Sequence, residues 1–85
     1  MHTVELLEQA LATARQMGFL VREEWLGTGG GGCVLRGRRY LIVDLALNHR
    51  EQLEQVLAAI SEADEQTILQ FPAPIRELLD QRRAA

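Results

Sequence analysis

Residues 26–45 read LGTGGGGCVLRGRRYLIVDL, and the way this stretch divides into strands and turns decides the fold. Five of the seven glycines lie within 26–36, four of them consecutive at 29–32, and the only cysteine follows at once. Two apolar runs come next, CVLR at 33–36 and RYLIVDL at 39–45, joined by Gly37 and Arg38. Glycine at the first central position of a two-residue loop suits a type II′ hairpin. That register pairs Arg36 with Arg39, Leu35 with Tyr40, Val34 with Leu41 and Cys33 with Ile42. The run at 39–45 is apolar on both faces, which marks it as the most buried strand, whereas a meander in chain order would put 33–36 in the middle. The strand order stays open at this point.

Upstream, FLVREEWL at 19–26 alternates as a strand does, with Phe19, Val21, Glu23 and Trp25 on one side. Before it, residues 3–17 read as a helix. Val4, Leu7, Leu11 and Ala14 form one apolar stripe, Thr3 is placed to cap the N-terminus, and Gly18 suits the left-handed residue that ends a helix. Downstream, Asn48 and Glu51 have capping-box spacing ahead of a helix at 49–62 with Leu53, Val56, Leu57 and Ile60 inward. SEADEQT breaks that pattern. Pro72 and Pro74 then open a short helix at 74–83 with Ile75, Leu78 and Leu79 inward, and residues 84–85 read as a frayed tail. The expectation is one small α+β domain over residues 1–85, in the order α-β-β-β-α-α, with a three-stranded antiparallel sheet covered by helices. The outer sheet face is left for the last helix or for a second copy of the chain.

Eighty-five residues bury a modest core, roughly 60–65% of the unfolded surface. The formal net charge is −3, which gives no general attraction to nucleic acid or to an anionic membrane. All nine basic residues are arginine, a bias of GC-rich genomes and the reason for reading the chain as bacterial in type. One cysteine permits no internal disulfide. The N-terminal stretch lacks the basic start and apolar run of a signal peptide, and no segment has the ~20 apolar residues of a membrane span. The chain therefore reads as cytoplasmic.

The glycine run is not a phosphate cradle. Such a loop leads into a helix N-terminus, whereas this one leads into a strand and lacks the lysine and hydroxyl of the nucleotide-binding motif. Four ordered glycines cost roughly 0.5–1 kcal/mol each relative to alanine. They imply either mobility or a close approach by a ligand, another chain or a neighbouring backbone. Candidates for chemistry gather near the loop: Cys33 as a nucleophile, His49 as its base and Asp44 or Glu24 as the orienting acid. The plainer roles are a small apolar cysteine, a solvated His49 at a helix start, and an Asp44 that pins the loop through its N–H groups. No metal site is expected, since Cys33, His49, His2 and the carboxylates show no ligand spacing, and no cofactor is implied. Trp25, Gly29, Gly30, Gly31 and Gly32 form one candidate interaction surface. The turn residues Arg36, Arg38 and Arg39 form another, with no interleaved aromatics to suggest RNA. The functional expectation is a non-catalytic protein-interaction module or homodimer. A small-molecule or thiol-dependent site at the glycine-loop end is the alternative.

Overall fold

The computed structural model describes residues 2–84. Its elements are α1 (Thr3–Gln16), β1 (Leu20–Glu24), β2 (Gly31–Leu35), β3 (Arg38–Asp44), α2 (His49–Ile60), α3 (Glu65–Ile68) and α4 (Ala73–Ala84). The fold is α+β, with the helices packed on one face of a three-stranded sheet.

Helix α1 begins one residue earlier than Thr3 capping would require. His2 occupies the cap position and makes no side-chain capping bond. The C-terminal end follows the Schellman pattern: Gly18 has φ 94°, its N–H donates to the Arg15 carbonyl, and the Phe19 N–H donates to the Ala14 carbonyl. Arg39 reinforces this end, donating to the Met17 carbonyl at 3.3 Å while its guanidinium stacks 4.2 Å from the centre of the Phe19 ring. The capping box of α2 is formed as expected. The Glu51 N–H donates to Asn48 Oδ1 at 2.8 Å, and the Asn48 N–H donates to Glu51 Oε1 at 3.1 Å. The SEADEQT segment contains a short helix of its own, α3, started by Asp64, whose carboxylate accepts from the Thr67 N–H. Helix α4 includes Ala84, so the tail read as frayed continues the helix that far; Ala85 lies outside the described residues.

The sheet is mixed, which corrects the antiparallel expectation. Its order is β1-β3-β2, with β1 parallel and β2 antiparallel to β3. The strand that is apolar on both faces takes the centre, where both of its edges are hydrogen-bonded. The hairpin is also shifted from the expected one. Its turn is Arg36–Gly37, both at positive φ (53° and 77°), which is the type I′ pattern. Leu35 therefore pairs with Arg38, Cys33 with Tyr40 and Gly31 with Ile42. The slip is two residues, so every side chain keeps the face assigned from sequence and only its position along the strand changes.

Leu41 and Val43 of β3 are buried under α1 and α2, together with Leu7, Ala10, Leu11, Ala14, Leu53, Val56, Leu57 and Ile60. Ile68, Phe71, Ile75 and Leu79 close the far side of that cluster. Val4, counted on the inward stripe of α1, is largely exposed, while Leu78 of α4 is half-buried. Helix α4 packs on α1, so it leaves the opposite sheet face open. There Tyr40 and Ile42 are half-buried and Cys33 and Leu35 are exposed.

Strands β1 and β2 lie on opposite sides of β3, so residues 25–30 must cross its C-terminal end. Gly30 makes the crossing possible, because a Cβ at that position would collide with the Ile42 carbonyl oxygen. At Gly32 an added Cβ would meet Ala59 and the Phe19 ring only at ordinary contact distances, 3.6 and 3.7 Å. Gly30→Ala is therefore expected to destabilise the fold by roughly 2 kcal/mol or more, and Gly32→Ala to change stability by under about 1 kcal/mol. Chemical denaturation of the two variants measures the difference.

Candidate functional site

The crossing loop, the end of β3 and the start of α2 form one polar cluster centred on Asp44. Its carboxylate has no exposed surface. Oδ1 accepts from the Leu26 N–H at 3.0 Å and the Ala46 N–H at 2.9 Å, and Oδ2 accepts from the Gly29 N–H at 2.8 Å. The Glu24 carbonyl beside it takes the Leu45 N–H at 2.8 Å, extending the β1–β3 pairing into the turn. On the α2 side, the Asp44 N–H faces Gln55 Oε1 at 3.5 Å. Buried Gln52 donates to the Leu47 carbonyl at 2.9 Å, tying the helix to the turn that precedes it. Burial by itself pushes the Asp44 carboxyl upward. The backbone N–H groups of Ala46, Gly27, Leu26 and Gly29 together outweigh it and lower the pKa to about 2. Asp44 thus takes the loop-pinning role expected of it. Asn48, four residues on, is occupied by its own helix cap.

This arrangement draws Cys33 away from Asp44 along the sheet. Cys33 lies opposite Tyr40, four residues before Asp44. At about 3.3 Å per residue that is about 13 Å along the strand. The expected register had set Cys33 beside Ile42, only half as far away. Both oxygens of Asp44 are engaged by backbone donors, and no imidazole is among its hydrogen-bond partners. His49 is exposed at the first turn of α2. Among the described residues, no three His, Cys, Asp or Glu side chains gather as metal ligands, and no helix is long and apolar enough to cross a membrane.

The proposed interaction residues divide in the same way. Gly29 and Gly30 belong to the loop that closes over β3. Arg36, Arg38 and Arg39 are all exposed at the hairpin; Arg36 supplies a turn position, and Arg39 also donates to the end of α1. Trp25 is 77% exposed beside the loop. Gly31 and Gly32 open β2, which continues into Val34 and Leu35, exposed by 72% and 59%. Between β2 and α2 runs a groove of about 840 Å³, whose walls include Phe19, Gly32, Val34, Arg39, Ala59 and Thr67. Sequence reasoning assigned no role to Val34 or Leu35. Their signal was an uncharged strand next to glycines, which reads as an edge only once β3 is known to be central.

No protein-family model, curated protein or solved structure matches this chain.

A carboxylate whose pKa is depressed on folding stabilises the protein above its unfolded value of about 3.9, and that contribution is lost as pH falls through about 2. Asp44→Asn should lower the melting temperature at neutral pH by at least about 4–8 °C. It should also flatten the decline in stability between pH 4 and pH 2 relative to the unsubstituted chain. Thermal melts across that pH range check both.

Proposed function

We propose that the protein is a non-catalytic protein-interaction module working in the cytoplasm, with its binding surface on the free edge of β2 and the apolar side chains around it. The supporting observation is the exposure of Val34 and Leu35 on an edge strand that carries no charged side chain. Sheet edges present unpaired N–H and C=O groups, and folds that must stay alone guard them with charge or proline. The other edge of this sheet is guarded in that way by Arg22, Glu23 and Glu24 of β1. An unguarded edge with exposed apolar neighbours suits strand addition, in which backbone bonds supply affinity and alternate side chains supply specificity. Trp25, 77% exposed at the loop end, is the kind of aromatic that anchors such contacts. The partner is a polypeptide, either another protein or a second copy. The acidic balance of the chain argues against nucleic acid.

A second reading rests on the groove beside β2, large enough for a small molecule, with Cys33 on the same strand. The engaged Asp44 and the distance along β3 weigh against a thiol-dependent reaction there, which leaves ligand binding as its content.

Val34→Lys adds a charge to the edge without touching the buried core. The melting temperature should change by less than about 4 °C, while association falls at least about tenfold. Association is read as self-association by sedimentation, or as retention of a specific protein from a lysate of cells that make the chain. Neither self-association nor a Val34-dependent partner would overturn the reading.

A further inference from the structure

We infer that the strand added to β2 is the β2 of a second copy, paired antiparallel about a two-fold axis at Cys33, so that two sheets join into one of six strands. This rests on the interaction-module reading and names its partner. The turn at Arg36–Gly37 closes on a Leu35 carbonyl to Arg38 N–H bond, the usual bond of such turns. Along an antiparallel pair the bonding direction alternates residue by residue. Cys33 and Gly31 therefore bond toward β3, and Gly32 and Val34 turn their N–H and C=O groups toward the free edge. A copy rotated about Cys33 sets its Val34 opposite Gly32 and its Gly32 opposite Val34. The two free donors and two free acceptors of each edge then meet their counterparts.

The side chains fit the same register. Gly32 carries no side chain on the helix face, where Ala59 and Phe19 lie 3.6 and 3.7 Å from a Cβ position, and the exposed Val34 of the other copy stands opposite it. On the outer face, the exposed Leu35 stands opposite the other copy's Gly31. Each large apolar residue thus meets a glycine, in the order G-G-C-V-L read in both directions. The Arg36–Arg38 turns fall at opposite ends of the pair, so their charges stay apart. Helix α2 packs on both β2 and β3. Two such helices across the axis lie about two strand spacings apart, about 10 Å, which is contact distance for packed helices. Ala58 and Ala59 on the groove side of α2 are small enough to allow it.

The register makes Cys33 and its symmetry mate a directly opposed, non-hydrogen-bonded pair, the arrangement with the closest side chains. Diamide reports this proximity: it takes two protons and two electrons from the two thiols, becomes the hydrazine, and leaves an S–S bond between the copies. The control is Val34→Pro, which removes an outward N–H at an edge and leaves the β2–β3 ladder intact. Sedimentation velocity of the full chain, reduced, is expected to give a dimer, and Val34→Pro a folded monomer by circular dichroism. Diamide should cross-link the unsubstituted dimer at least tenfold faster than the proline variant at equal concentration. Should Val34→Pro fail to fold, Val34→Lys takes its place with the same expected readings. A monomer at all concentrations up to about 0.5 mM, a Kd range near the weak end of specific association, overturns the inference. A dimer that survives the edge variants, or one whose Cys33 cross-links no faster than theirs, also overturns it. A monomer that still retains a Val34-dependent protein leaves the interaction-module reading standing without this partner.

Discussion

The carboxylate of Asp44 holds the chain across the end of β3, and the topology depends on that crossing. Strands β1 and β2 bond to opposite edges of β3, so the segment between them passes over exposed backbone ends that need partners. Gly30 removes the side chain that would strike the Ile42 carbonyl. The N–H groups of Leu26, Gly29 and Ala46 then close on Asp44. A buried charge is costly unless it is hydrogen-bonded. Two donors from the crossing loop and one from the turn after β3 meet that requirement and, in doing so, fix the path of the loop.

The same crossing leaves the molecule asymmetric. With β3 in the centre, β1 takes one edge with its charged side chains and β2 takes the other without any. The helices cover one face, and α2 straddles β2 and β3, so a groove remains beside β2 where a wider sheet would carry another helix. Exposed Val34 and Leu35, the open edge and the groove are consequences of one arrangement. A hairpin order with β2 in the middle would have bonded both edges of β2 and left no such surface. The cluster around Asp44 has the opposite character: its polar groups are satisfied internally, which suits a fixed joint better than a reaction centre.

Much of the fold was legible before the structure. The apolar stripes of α1 and α2, the Asn48–Glu51 box, the left-handed Gly18 and the loop-pinning role of Asp44 all arise from neighbours close in sequence or from a need that Asp44 itself declares. The burial of β3 was readable from its two apolar faces. Its consequence, parallel pairing with β1, was not, because strand patterns carry burial and parity but not the identity of the neighbour. The turn slipped from Gly37–Arg38 to Arg36–Gly37 because type I′ accepts an arginine at positive φ when the flanking ladder demands it. That slip separated Cys33 from Asp44. Helix α3 went unread because a four-residue helix has no period to detect; its one local sign was Asp64 three residues ahead of Thr67.

By itself the sequence determined the elements, their amphipathic faces and the need for a close backbone approach at the glycines, since periodicity, capping and turn chemistry act between residues a few positions apart. The tertiary structure alone decided which strands are neighbours, which edge is bare, and how far Cys33 stands from Asp44. Those outcomes depend on which long-range pairing buries the most apolar surface while satisfying every buried polar group, and that competition is settled only when the whole chain is packed.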